Sequence, residues 1–254
     1  MKKIAIIGFG HIGKAFYKGL INSGFKKENI LTSNGSATNR KIAGQADWII
    51  IAVKPLVVGK VIDQIKDVIS NKIVISFACG VSISSMQKFA DNNKQKIIRM
   101  MPNIPIVVGN GTIGFFANKN VSSQEKREVI GIFSKLGKVI ECKKEEDLDA
   151  MTILSGSGPA VVSCLISMLS KSGEKFGLEK NVSDEIALQT FFGTLSYLQK
   201  TKQKPLELEK FVATKGGTTE AIIKGLDSKK TYSGFVKSLE KGYIKIKKMN
   251  EDKK

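Results

Sequence analysis

Gly8-Phe9-Gly10-His11-Ile12-Gly13 is the first segment of the chain whose residue types and spacing could do chemistry. Three glycines in a GxGxxG spacing let a backbone turn tightly, approach a bulky anion and pack a helix close against a strand. The chemistry this allows is capture of a pyrophosphate, because the helix opening behind the loop offers free N–H groups and a partial positive charge. His11, the single histidine, falls inside the loop and reads as a backbone-adjacent neighbour of the pyrophosphate rather than an acid–base group. About 20 residues further on, a pocket selecting NAD carries Asp or Glu against the ribose 2′-hydroxyl. Thr32-Ser33-Asn34-Gly35-Ser36 stands there instead. Hydroxyls and an amide, with Arg40 or Lys41 in reach, suit NADP(H) better, with NAD(H) as the alternative.

Two later segments could also hold an anion. Ser155-Gly156-Ser157-Gly158-Pro159-Ala160 precedes a long helical pattern, with a hydroxyl placed to cap it and Pro159 in its first turn. Gly216-Gly217-Thr218-Thr219 precedes another in the same manner. Each is a helix start built of small residues, able to receive a carboxylate or phosphate. Each is equally well read, taken alone, as an ordinary capped helix.

The elements that must position these groups alternate over the first half. A β-branched run from Lys3 to Ile7 leads into the glycine loop, a helical pattern spans Ile12 to Ser23, and a strand follows at Ile30 to Thr32. Trp48 to Val53 is a continuous apolar strand of the kind buried on both faces. Helices are predicted at 57–69, 82–90 and 122–136, and strands at 73–77, 96–100, 111–117 and 138–141. This is a doubly wound α/β sheet of Rossmann type over residues 1–148. Between Asn34 and Ala46 there are too few residues for the usual second helix and third strand, so the sheet reads as shortened after its second strand. Beyond Glu145 only helical patterns recur, at 145–154, 159–176, 183–200, 205–213, 218–225 and 232–249. Residues 149–254 are therefore expected to form an all-helical second domain.

Composition narrows the function classes. A net charge of +18 raises nucleic acid or an anionic membrane as partners, but only Arg40, Arg99 and Arg127 among 41 basic residues carry a planar guanidinium fork. A lysine-coated solvated surface is the reading, with no specific nucleic-acid face. Cys79, Cys142 and Cys164 form neither a CxxC nor an even framework, which argues against disulfides and zinc and fits a reducing cytoplasm. No secretory pattern follows the N-terminal lysines, and the apolar stretch near Ala160 to Leu169 falls short of a membrane span. The expectation is a soluble cytoplasmic protein without a membrane partner.

Together these segments resemble pyrroline-5-carboxylate reductase, the last enzyme of proline synthesis. The residues carrying the resemblance are Gly8 to Gly13, Ala52-Val53-Lys54-Pro55, Ser76 to Gly80, Met101-Pro102-Asn103-Ile104-Pro105, Ser155 to Ala160 and Gly216 to Thr219. They span nearly the whole chain in the family's order and spacing. The resemblance implies a helical C-terminal domain that interlocks with a partner subunit, in a homodimer or a ring of dimers, and an active site between the nicotinamide of one subunit and helices of the dimer. It implies NADPH or NADH as hydride donor to the C5=N bond of a cyclic imine carboxylate, giving proline. Gly8, Phe9, Gly10, His11, Ile12, Gly13, Ser33 and Asn34 then serve the cofactor, Asn39 lies near its adenosine end, and Val53, Lys54, Pro55, Ala78 and Cys79 lie along it. Ser157 and the Gly216, Gly217, Thr218 and Thr219 segment are implied to hold the substrate, with the Thr219 hydroxyl near the ring nitrogen as the catalytic group.

The chain departs from the family's pattern at Ile104, where threonine is usual, at Lys202, where an acid is common, and at Lys215, where proline is usual. Two rival enzyme signals are weaker. Gly216-Gly217 followed by Lys224 resembles β-hydroxyacid dehydrogenases, but the Gly-Gly-Thr-Thr context fits imine reductases better. Tyr243 and Lys247 match YxxxK in a lysine-rich chain at the wrong end. The remaining alternative is a diverged paralogue that binds dinucleotide but acts on another imine or hydroxyacid, or serves a regulatory role.

Overall fold

The computed structural model describes residues 2–226 and 229–251. The chain divides into two compact units, Met1–Pro159 together with Gly242–Lys254, and Ala160–Lys241.

The first unit is built on a seven-stranded sheet. Its strands are β1 (Ile4–Ile7), β2 (Ile30–Ser33), β3 (Trp48–Ile51), β4 (Ile73–Ser76), β5 (Lys96–Pro102), β6 (Gly111–Ala117) and β7 (Gly137–Glu141). Spatial order is β2-β1-β3-β4-β5-β6-β7. The first five strands are parallel, β6 runs antiparallel to β5, and β7 is parallel to β6. The reversal is made by a 3₁₀ turn at Ile104–Val108 that ends on Gly109 in the left-handed region, φ 75°.

Strand periodicity divides the core between the two faces. Ile4, Ile6, Trp48 and Ile50 point to one face, where α1 (His11–Asn22) and α5 (Ser123–Phe133) bring Phe16, Leu20, Val129 and Phe133. The rings of Phe16, Phe77 and Phe133 meet there with centroids 5.0 to 6.2 Å apart. Ala5, Ile7, Ile49 and Ile51 point to the other face. It is covered by α2 (Ser36–Gln45), α3 (Val58–Ile65) and α4 (Ile83–Phe89), through Ile42, Ala43, Val61, Ile62, Ile65 and Met86. Both faces of the central strands are thus dry, which is why β1 and β3 read as unbroken apolar runs.

The second helix expected to be missing is present: Ser36–Gln45 makes ten residues of α2, seated by Ile42 and Ala43. Among the described residues no strand lies beyond β2, the edge of the sheet, so the shortening is confined to one element. Helix α5 begins with a reciprocal cap, Ser122 Oγ accepting from Glu125 N while the Glu125 carboxylate accepts from Ser122 N at 2.9 Å. Ser122→Ala should cost about 1 kcal/mol in denaturant unfolding with the slope unchanged; a loss under a few tenths would show the cap to be idle.

The helical half consists of α6 (Asp147–Met151), α7 (Gly158–Lys175), α8 (Lys180–Thr201), α9 (Pro205–Val212), α10 (Thr218–Leu226) and α11 (Lys229–Glu251). Lys247, in the last part of α11, donates to Asp149 Oδ2 at 3.2 Å, and Ile246 beside it is buried. The Asp149 carboxylate holds the Lys247 ammonium above its ordinary pKa. In the second unit α7 and α8 meet around the Gly177 turn, where Ser170 Oγ donates to Asp184 Oδ1 at 2.5 Å. Gly173 lies so near Ser183 that an added Cβ would come within 2.7 Å of its Oγ.

Many apolar side chains of this unit are exposed, among them Leu165, Met168 and Leu169 on α7 and Ile186, Leu188, Phe192 and Leu195 on α8. Helices apolar over so much of their circumference need a second surface. Among the described residues the helical run Asp147–Lys175, 29 residues, is long and apolar enough by length and composition to cross a membrane. The apolar stretch near Ala160 to Leu169 alone falls short of a span; the run reaches 29 residues because it continues back through Ser155–Pro159 to Asp147.

Candidate functional site

The glycine loop occupies the C-terminal end of β1, where the connection goes one way to β2 while β3 lies on the other side, the switch point at which open α/β sheets bind ligands. Gly8 has φ +98°, and its N–H donates to Ser33 O at 2.9 Å, tying the ends of β1 and β2. A Cβ on Gly8 would lie 2.6 Å from Ala52 O, and one on Gly13 only 2.1 Å from Gly8 O. On Gly10 a Cβ would meet nothing within 4 Å. The first and third glycines therefore serve packing, and the second leaves open space where a ligand's phosphates could approach. Helix α1 starts with Gly10 as its N-cap, without a capping side chain and without an acid in its first turn. Its positive end is thus open to an anion. His11 is exposed, Ile12 is half-buried, and the Phe9 ring packs edge-on against Tyr17 at 5.5 Å.

Beside the loop lies a cavity of about 250 Å³. Ile7, Gly8, Asn34, Asn39 and Val53 line it, as do Gly35 and Ser36 at the start of α2 and Val57, Lys60, Val61 and Gln64 around α3. Asn39 is fixed between neighbours, its Oδ1 accepting from Ser33 Oγ at 2.7 Å and its Nδ2 donating to Gln64 Oε1 at 3.0 Å. Ser33 itself is buried and faces inward, spending its hydroxyl on this network. Of the residues expected at the adenosine end, Asn34 and Asn39 thus line the cavity while Ser33 braces it from behind. Arg40, nominated as a phosphate partner, is engaged elsewhere: Nε donates to Asp67 Oδ2 at 2.9 Å, and the pair sits exposed. That partnership raises the Arg40 pKa further and lowers that of Asp67.

Val53, Lys54 and Pro55 follow β3, and Ala78 and Cys79 follow β4, so the rest of the expected cofactor set lies at the same end of the sheet. Val53 reaches the cavity; Lys54 is exposed and its carbonyl accepts from Val57 N at 2.9 Å. Ala78 is buried with its N–H on Ser76 Oγ at 3.2 Å, and Cys79 is half-buried. Lys60, Val61 and Gln64 escaped the sequence reading; their signal was spacing on α3, where positions 57, 60, 61 and 64 share one face.

Within the Ser155 to Ala160 segment α7 starts at Gly158 with Pro159 in its first turn, but no free helix end precedes it. Thr152–Gly156 is a π-helical turn joining α6 to α7, and Ser155 Oγ donates back to Met151 O at 2.8 Å. Small residues allow the wider turn, and π-turns of this kind cluster at functional sites. Buried Asn103 holds the turn: its Nδ2 donates to Ser155 O at 3.0 Å and its Oδ1 accepts from Thr112 N at 2.8 Å. Ser157 lies just past the π-turn, exposed, while Ile104 is also largely exposed.

In the second unit, Gly216 (φ +75°) and Gly217 form the turn into α10, and a Cβ on Gly217 would come within 2.9 Å of Thr214 Oγ1. Gly216 N donates to Glu220 Oε2 at 2.8 Å. That bond and Lys224 hold the Glu220 carboxyl below its usual pKa, so the turn receives a carboxylate even from its own helix. Thr218 and Thr219 occupy the first turn of α10, the former exposed and the latter half-buried. Lys215 is exposed in the turn, and Lys202 ends α8 in the left-handed conformation at φ 60°. Among the described residues no cluster of metal-ligating side chains occurs.

Residues 145–249 match the family model for pyrroline-5-carboxylate reductase dimerisation, and residues 32–80 match a model described as NADP oxidoreductase, coenzyme F420-dependent. The chain is 30% identical over 260 residues to pyrroline-5-carboxylate reductase of Corynebacterium melassecola, covering 94% of this chain and 96% of the relative. Against the Aquifex aeolicus enzyme of the same name identity is 31%, covering 97% of each chain. Among solved structures, Plasmodium falciparum pyrroline carboxylate reductase with NADP bound superposes with a TM-score of 0.89 at 32% identity, covering 98% of each chain. Identities of 30% or more over nearly the full length of these relatives show that the chain belongs to the pyrroline-5-carboxylate reductase family.

Proposed function

We infer that the protein reduces 1-pyrroline-5-carboxylate to L-proline with NADP(H). The observation that carries this reading is the cradle of Gly8, Gly10 and Gly13 opening onto a nucleoside-sized cavity whose lining contains no carboxylate. NAD(H) would fit the same cradle as a second donor. When bound, the dinucleotide supplies a hydride to C5 of the C5=N bond, and a proton joins the nitrogen. Residues 1–148 are assigned to the dinucleotide and residues 149–254 to substrate and subunit contact.

Gly8 to Gly13 hold the pyrophosphate through backbone N–H groups, Asn34 and Asn39 with Ser33 behind them form the adenosine end, and Val53, Lys54, Pro55, Ala78 and Cys79 serve the remaining length. Ser157, Gly216, Gly217 and Thr218 are assigned to the substrate. The turn at Gly216 suits a carboxylate because its N–H already receives one from Glu220. The Thr219 hydroxyl is assigned to hold the ring nitrogen and its incoming proton. An iminium is electrophilic on its own, so positioning rather than strong acid catalysis supplies most of the rate.

The oligomer's smallest unit is proposed to be a homodimer. A partner subunit rather than lipid is assigned to α8, because charged Lys180, Asp184 and Glu185 at its start and Lys200 at its end bracket the apolar stretch. The site needs neither nucleic acid nor membrane, and three cysteines without a CxxC spacing suit the cytoplasm.

The test is NADPH oxidation with 1-pyrroline-5-carboxylate, beside Thr219→Ala. Substrate-dependent oxidation is expected, with kcat lowered about a hundredfold by the substitution and NADPH affinity unchanged. Binding of NADPH without oxidation would reject the reductase reading; full activity in Thr219→Ala would reject the residue's role.

A further inference from the structure

The cavity beside the glycine loop has two kinds of wall. Val53, Val57 and Val61 form an apolar side suited to the face of a purine, and Asn34 and Ser36 form a polar side at the end of β2. The end of β2 is where a dinucleotide's adenosine ribose presents its 2′ position. Lys60, on α3, is the charged residue lining the space. Its charge is not spent on a neighbour: Asp63, three residues on, pairs with Lys66 at 2.9 Å, and among the described residues no carboxylate lies within ion-pair distance of Lys60. The other nearby cation of guanidinium type, Arg40, is held by Asp67 outside the cavity. The same cavity is lined by Gly35 and Ser36, where α2 begins with Gly35 as an N-cap that contributes no side chain, so its positive end adds to the same field.

We propose that Lys60 is the residue that selects NADPH over NADH, its ammonium neutralising the 2′-phosphate in the cavity it shares with Ser36 and the start of α2. The inference rests on the dinucleotide reading above and deepens it by naming a cation on α3, not on the loop after β2. Lysine suits the task as a point charge on a flexible stem, which reaches a phosphate without needing a fixed fork.

Isothermal titration with NADPH, NADH and 2′,5′-ADP on the intact protein, Lys60→Gln and Lys60→Arg tests it. Lys60→Gln should raise the Kd of NADPH and of 2′,5′-ADP about tenfold while leaving NADH within about twofold. The NADPH affinity of the glutamine variant should also depend less steeply on salt. Lys60→Arg should restore most of the loss, as a charge requirement demands and a packing role does not. Equal weakening of NADPH and NADH, or no change in either, would overturn the assignment while leaving dinucleotide binding intact. Failure of the unaltered protein to bind either dinucleotide would overturn the underlying reading and the inference with it.

Discussion

Gly13→Ala is expected to abolish useful cofactor binding, lowering kcat/KM for NADPH by about a hundredfold or more. The added Cβ would stand 2.1 Å from the Gly8 carbonyl oxygen, well inside contact distance, and both partners are backbone. Relief requires α1 to move away from β1, which displaces the N–H groups that face the phosphates. Packing Phe16 and Leu20 against the sheet opposes that movement, so the substitution should also destabilise the unit by about 1–3 kcal/mol. Gly10→Ala is the informative partner. Its Cβ meets nothing within 4 Å, so the melting temperature should hold while NADPH binding weakens, because the space it fills is the ligand's. Calorimetric titration beside thermal unfolding separates the two. Normal NADPH binding by Gly13→Ala would mean that the loop does not seat the pyrophosphate.

The second large effect is expected at Glu145. Arg99 on β5 is 5% exposed and donates through Nη1 to Glu145 Oε1 at 2.8 Å; the same oxygen accepts from Ile83 N, also at 2.8 Å, at the start of α4. Glu145→Ala leaves a guanidinium in a nearly dry site and frees the first turn of α4. A loss of about 3–5 kcal/mol should appear in urea unfolding. Arg99→Met combined with Glu145→Ala should recover most of it, since an apolar side chain needs no counter-charge. Were the double variant as unstable as the single one, the loss would lie in the Ile83 contact and not in the stranded charge.

The central strands and the glycine loop were legible because burial on both faces leaves no room for polar residues in Ile4–Ile7 or Trp48–Ile51, and because GxGxxG between a strand and a helix has few other uses. Helix α2 was not, because Ser36–Gln45 is largely polar and buries only Asn39, Ile42 and Ala43. Such a helix owes its place to the sheet it covers more than to its own pattern. The π-turn at Thr152–Gly156, which joins α6 to α7 ahead of Gly158, was not legible, because serine, glycine and proline in close succession are also what a capped N-terminus looks like. Arg40 and Lys60 show the limit most plainly. Sequence distance from β2 offered Arg40 or Lys41, but Asp67 claims the arginine, and the cation lining the cavity, Lys60, comes from a later helix. Which basic residue meets a ligand is decided by the partners of the others, and those pairings span 27 residues in the case of Arg40 and Asp67.

The return of the last helix to the first unit sets an order of events during synthesis. Asp149 and Lys247 are 98 residues apart, so at usual ribosomal speeds roughly 5–20 s separate their appearance. Through that interval the nascent dinucleotide-binding unit has its whole sheet but neither the Lys247 ammonium nor the cover of Ile246. The part of the protein made first is therefore finished last, only after every residue of the helical insert between 160 and 241 has been made.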